Sequence, residues 1–224
     1  MKLSLIIFLL FVGRESALSY ENNFALSAAI GFGQTEFTTS TEKDVSSASA
    51  ALLTNFGYRW KNLEIDAHSS ITAGISGSSF HQQAQGSNIY GRTWYRAMAF
   101  GPSIRYNSDL LIVKTWQTFI KVGPQWEILT TARQGTRTVS GGNFTPGHIV
   151  KYEGSGFHAA VGIGKKTNRH TEMTFYQITY KFISFDRLSV LDSAGRDTNV
   201  IHREKLGYNF EEVSILLSMG WVIF

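Results

Sequence analysis

The sequence has no cysteine, only three prolines and little charge. Without cysteine there is no disulfide framework and no thiolate metal site. Charged residues make up 17% of the chain, against about 25% in typical soluble domains. Beyond the N-terminal segment, no stretch repeats apolar residues at i, i+3, i+4 and i+7, the spacing of an amphipathic helix. These absences exclude a disulfide-stapled fold and a helical bundle.

Glycine, serine, threonine and aromatic residues are abundant instead, with 21 Gly and 13% Phe, Trp and Tyr. This mixture favours strands and turns. The net charge is only +4, and the basic residues are scattered. We therefore expect no nucleic-acid partner.

The N-terminus has the pattern of an export signal. Met1 and Lys2 precede ten mostly apolar residues, and Ala17 and Ser19 then provide the small-residue spacing of a signal-peptidase site. The apolar run is too short to span a bilayer as a helix. We predict a signal peptide over residues 1–19 and a mature domain over 20–224; a buried N-terminal helix is the alternative.

Apolar and other residues alternate with a period of two along most of the remaining chain, as in strands with one apolar face. The alternation is clearest in LEIDAHSSITAGI, residues 63–75. The pattern predicts an all-β fold of eight strands, within residues 22–33, 49–60, 63–75, 93–106, 115–128, 155–164, 174–182 and 211–224.

The predicted connections alternate between long and short. They cover residues 34–47, 61–62, 76–91, 107–114, 129–154, 165–170 and 185–207. An even number of antiparallel strands, with long loops at one end and short turns at the other, is typical of up-and-down outer-membrane β-barrels.

The tryptophans indicate which face points outward. All five lie on the apolar face near predicted strand ends, as in interfacial aromatic girdles. The short-turn rim is predicted to carry Trp60, Trp116 and Trp221, and the long-loop rim Trp94 and Trp126. The opposite face carries acids and bases in equal number, which cannot face lipid. The apolar face is therefore predicted to point outward.

Five charged residues on the inward face are predicted to meet near the short-turn rim. They belong to four consecutive strands: Arg59, Glu64, Asp66, Arg105 and Lys121. Desolvated charges persist only when they are paired and hydrogen-bonded. We expect an interior charge network that fills the barrel.

The signal peptide, eight alternating strands, sorted loops and apolar C-terminal strand resemble the small OmpA/OmpX-type outer-membrane barrels. The resemblance is one of architecture and covers residues 20–224, without a diagnostic motif. It implies a bacterial outer-membrane location, contact with membrane lipids and lipopolysaccharide, and insertion by the barrel-insertion machinery. We expect a monomer. A terminal Phe in that class shares the outward face, whereas Phe224 is out of phase with it.

Catalysis has one candidate, the strand that carries Glu64, Asp66 and His68 on one face. His68 and Ser69 are adjacent and therefore face opposite ways. His68 and Ser70 share a face, but it points into the barrel, away from lipid substrates. We predict no catalytic residue, no metal and no cofactor; a lipid A-modifying enzyme is an alternative.

Function is therefore expected to depend on the loops. The favoured interpretation is a non-enzymatic surface protein, in which the barrel is the membrane anchor and long extracellular loops bind a partner. Arg92 and Arg96, near the long-loop rim, are candidates for contact with lipopolysaccharide phosphates. A small pore is the other alternative, although open porins use about 16 to 18 strands.

Overall fold

The structure is a computed structural model that consists almost entirely of strands. It describes residues 23–39, 42–78, 90–108, 116–133, 149–166, 172–191, 197–202 and 210–223. The nine strands are β1 (Asn23–Thr39), β2 (Glu42–Trp60), β3 (Leu63–Ser78), β4 (Tyr90–Ser108), β5 (Trp116–Arg133), β6 (Ile149–Lys166), β7 (Glu172–Leu191), β8 (Asp197–His202) and β9 (Phe210–Ile223). Among these residues, no helix is long and apolar enough to cross a membrane.

The strands form one closed antiparallel ring. Each strand from β1 to β7 pairs with the next, β7 pairs with β9, and β9 pairs with β1. The short strand β8 pairs with the end of β7, beyond the part of β7 that β9 contacts. The ring therefore has eight positions, which confirms the predicted eight-stranded up-and-down barrel.

Two of the predicted long loops are wrong. β1 and β2 continue through the segment predicted as loop 34–47, so only residues 40 and 41 separate them. The segment predicted as loop 185–207 contains the end of β7 and all of β8. Both segments are rich in polar residues, which is why they were predicted as loops. In the first of them the alternation of the strand nevertheless continues, because Thr35 and Phe37 point inward and are buried.

Other predictions fall on residues outside the described ranges. These are the signal peptide 1–19, the terminal Phe224 and most of the predicted loops 76–91 and 129–154. They stay predictions.

The large apolar side chains of the strands point outward. Phe32 is 66% exposed and Leu217 is 63% exposed, whereas the inward Arg59 is only 1% exposed. The strands thus alternate as predicted, with the apolar face on the outside. Only lipid provides a favourable surrounding for such a surface around a closed ring.

The interior contains apolar side chains at both ends and polar ones between them. One group of buried aromatic side chains lies inside the barrel at the long-loop rim. We call it the outer aromatic cluster, and its members are Phe37, Tyr95, Tyr152, Phe185 and Phe210. Its rings are in contact, with Tyr152 and Phe210 centred 4.5 Å apart. Near the short-turn rim, Phe119 packs edge-on against Phe175, with centroids 5.9 Å apart. The polar middle is therefore enclosed at both ends.

Candidate functional site

The predicted charge network occupies one row across four neighbouring strands. Arg59 lies opposite Glu64, Glu64 opposite Arg105, and Arg105 opposite Lys121. All four side chains are buried inside the barrel. Antiparallel pairing brings them together, because residues that face each other across strands share a side of the sheet.

Two ion pairs hold this network. Arg59 donates to Glu64 Oε2 from Nη2 at 2.6 Å and from Nε at 3.1 Å. Lys121 Nζ lies 3.0 Å from Asp66 Oδ1. Lys121 also donates to Asn55, and Ser103 donates to Asp66. Asn55 and Ser103 are partners that the charge pattern alone did not identify.

Arg105 makes contacts of a different kind. Its guanidinium carbon lies 3.7 Å from the centre of the Phe119 ring, a cation–π distance. Its Nε donates to Asn107 Oδ1 at 3.0 Å. Arg105 therefore connects the charge network to the apolar packing at the short-turn rim.

Removing Glu64 should destabilise the barrel strongly. Glu64→Gln takes away the negative charge beside the buried Arg59, and breaking a buried pair in this way costs about 3–5 kcal/mol. The free energy of unfolding, measured by urea titration in lipid vesicles, should fall by that amount. The double variant Arg59→Gln with Glu64→Gln should be more stable than Glu64→Gln alone.

The protein provides a matched control on its outer surface. Glu153 pairs with Lys151 at 2.9 Å and with Arg187 at 3.0 Å, and all three side chains are partly exposed. Glu153→Gln should cost less than about 1 kcal/mol, as exposed pairs do. Equal losses for Glu64→Gln and Glu153→Gln would contradict a structural role for the interior pair.

A second charge cluster, which sequence reasoning did not assemble, crosses the barrel. Lys181 Nζ lies 2.8 Å from Glu127 Oε2 and also forms an ion pair with Glu212. Gln125 donates to Glu127 at 3.1 Å, and Ser214 donates to Glu212 at 2.7 Å. One buried cation therefore serves two buried carboxylates.

Two histidines lie in the polar middle of the barrel. The rings of His68 and His158 are in contact, with centroids 4.3 Å apart and planes inclined by 30°. His68 Nδ1 is 2.7 Å from Asn55 Oδ1, the amide that Lys121 also contacts. His158 lies opposite Lys181 in the pairing of β6 with β7. The histidines thus lie between the two charge clusters.

His68 and Ser69 point to opposite faces of β3, whereas His68 and Ser70 are both buried on its inward face. Ser69 lies on the outer face, where its hydroxyl is 2.7 Å from Thr54 Oγ1. The ring of His68 contacts Asn55 and His158 inside the barrel. In the part of the chain that the structure describes, no group of three or more His, Cys, Asp or Glu residues could hold a metal ion.

The tryptophans do not all lie near strand ends. Trp60 ends β2, Trp116 begins β5 and Trp221 is close to the end of β9, all at the short-turn rim. Trp94 lies toward the long-loop rim in β4. Trp126, however, lies ten residues into β5 and opposite Phe100, in the middle of the wall. β5 continues to Arg133 beyond its predicted end, so Trp126 does not lie near the end of the strand, and its place in an aromatic girdle stays a prediction.

A closed antiparallel ring with an apolar exterior and a charged, packed interior defines the class of the protein. It is an eight-stranded outer-membrane β-barrel, and its location is the bacterial outer membrane.

A solved structure of an outer membrane protein has the same fold. A major outer membrane protein from Thermus thermophilus aligns with a TM-score of 0.52 at 10% identity, over 91% of this chain and 99% of that chain. Neisserial surface protein A aligns with a TM-score of 0.48 at 11% identity, also over 91% and 99%. The likeness to the Thermus protein concerns the fold alone. No family model and no curated sequence matches the chain.

Proposed function

We propose that the protein is a non-enzymatic surface protein, in which the barrel serves as the membrane anchor and the extracellular connections bind an external partner. The observation that carries this proposal is the set of bulky and charged side chains that the described strands bury in the interior. The outer aromatic cluster crosses one end, the two charge clusters fill the middle, and Phe119 and Phe175 pack at the other end. A barrel filled in this way favours an anchor over a passage.

An exposed arginine toward the long-loop rim supports contact with lipopolysaccharide as part of this role. Arg96 points outward from β4 and is exposed, two residues from Trp94. Arginine binds phosphate through two parallel hydrogen bonds. The barrel-insertion machinery is a further expected partner during biogenesis, and the proposal treats the assembled protein as a monomer.

Conductance in planar bilayers tests the anchor against the pore. The parent protein is expected to show no steady conductance, because bulky side chains block the interior at two heights. A double variant, Phe37→Ala with Phe210→Ala, removes two stacked rings whose centroids are 5.9 Å apart. It should remain closed, since the charge clusters and Phe119 still fill the barrel below. Steady conductance by the parent protein would establish a pore and overturn the anchor.

A further inference from the structure

The wall between β4 and β5 has a gap in its hydrogen-bonded ladder. The pairing runs as far as Phe100 opposite Trp126 and resumes at Ile104 opposite Val122. This register sets Pro102 opposite Pro124. Neither proline has a backbone N–H, so neither can donate to the ladder. Proline is found essentially on sheet edges or at bulges, and a closed barrel has no edge. We call this gap the proline seam.

Two glycines keep the strands close at the proline seam. A Cβ atom on Gly101 would lie 2.2 Å from the carbonyl oxygen of Pro124, and one on Gly123 would lie 2.2 Å from that of Pro102. Gly101 and Gly123 belong to the inward face of their strands. No side chain from these two positions therefore covers the seam from inside.

The outer surface beside the proline seam is hollow. A depression of about 760 Å³ opens toward the lipid, with a floor of small residues that includes Ala67 and Ser69. Bulky side chains bound it, among them Phe56, Phe100 and Trp126. Its lining also includes Asn55, Asp66 and His68, whose side chains belong to the interior.

Unpaired polar atoms lie on the inward side of the two strands that flank the seam. Among the described residues, Asp66 Oδ2 and both ring nitrogens of His158 have no hydrogen-bond partner, and both side chains are buried. Asp66 lies opposite Ser103, next to Pro102, and His158 lies opposite Gly123, next to Pro124. Buried polar groups are usually paired, so these atoms have free capacity for a ligand.

We propose that the proline seam is a lateral binding site for a membrane-dissolved molecule with an apolar body and one hydroxyl group, such as a long-chain alcohol. The apolar body fills the depression on the lipid face. The two strands β4 and β5 are in close contact at the seam, so they must part to admit the hydroxyl group, and the missing ladder hydrogen bonds lower the cost of parting there. The hydroxyl group donates to Asp66 Oδ2 and accepts from the ring N–H of His158.

The charges of the site favour a neutral polar group. Lys121 and Asp66 already form an ion pair, and a charged ligand would add an unpaired charge inside the membrane. A hydroxyl group both donates and accepts, and so satisfies both kinds of free atom. The anchoring role does not require this site, so the two proposals stand or fail separately.

Fluorescence quenching of Trp126 tests the site. Trp60, Trp94, Trp116 and Trp221 are replaced by Phe, and the protein is placed in dioleoylphosphatidylcholine vesicles. The quencher is 12-bromododecan-1-ol, and 1-bromododecane is the matched probe without a hydroxyl group. The alcohol should quench Trp126 saturably. Its half-saturating mole fraction should be at least about tenfold lower than that of 1-bromododecane, which corresponds to a difference of ~1.4 kcal/mol in binding free energy. Equal half-saturation for the two probes would overturn the proposal.

A pair of variants locates the binding. Ala67→Leu fills the floor of the depression and should abolish the saturable component. Ala73→Leu adds the same side chain on the outward face of the same strand, outside the depression, and should leave it unchanged. If both variants quench like the parent, the alcohol binds elsewhere and the proposal fails. The two-probe comparison uses parent side chains in the depression and stays decisive even if Ala67→Leu does not fold.

Discussion

Replacing Lys181 with Met should lower the free energy of unfolding by about 3–5 kcal/mol, the cost of leaving a buried charge without its partner. Lys181 is the cation that contacts both Glu127 and Glu212, and all three side chains are almost fully buried. Methionine keeps most of the length and removes the charge together with the N–H donors of the ammonium group. Both carboxylates would then remain in the interior without that cation. Urea unfolding in lipid vesicles measures the loss.

Two further sets of substitutions show whether the loss of stability comes from the missing charge or from substitution in general. Lys165→Met changes an exposed lysine of β6, and it should stay within about 0.5 kcal/mol of the parent, as surface substitutions usually do. Adding Glu127→Gln and Glu212→Gln to Lys181→Met should restore part of the lost stability, because the uncompensated charges are removed. A Lys181→Met protein as stable as the parent would refute the cross-barrel cluster as a stabilising element.

Placing an arginine at Ile71 should cost about 2–4 kcal/mol, the penalty for this residue at the bilayer midplane on the lipid face of a barrel. Ile71 is 41% exposed on the outer face. It lies opposite Leu52 and Met98, both also outward and apolar, roughly halfway between the rims. Unfolding in lipid vesicles again provides the measurement.

The same substitution near the rim is the control for depth. Tyr58 is on the same outer face, two residues before the end of β2. Tyr58→Arg should cost about 0–1 kcal/mol, because an arginine near the interface can reach the headgroups. Equal costs at Ile71 and Tyr58 would show that the apolar face is not surrounded by lipid.

The strands and their orientation could be predicted from the sequence, because both depend on local alternation. The pattern around Ile65 and Ile71 alone defines an outward face, and the polar partners Glu64 and Asp66 define the inward one. The hairpin pair Arg59–Glu64 could also be predicted from local sequence, because the turn at residues 61 and 62 determines which residues face each other.

Contacts across the barrel could not be predicted from local sequence in this way. Glu127 in β5 and Lys181 in β7 are separated by β6 in the ring, so no hairpin register relates them. Their contact depends on ring closure and on the length of the lysine side chain. The extent of β1 and β2 was missed for a different reason. Their polar residues beyond the apolar band have the composition of a loop, although Phe37 still packs inside.

The pairing of β1 with β9 also has a consequence for the order of assembly. Leu26 faces Ile223, and fourteen consecutive pairs join the two strands. Contacts between residues so distant in sequence form slowly, because chain entropy opposes them until they are complete. Until β9 is in place, β1 and β7 both have an open hydrogen-bonding edge, and such edges pair readily with other chains. A newly made chain therefore has to stay unassembled, and protected from pairing with other copies of itself, until nearly its whole length is available to close the ring.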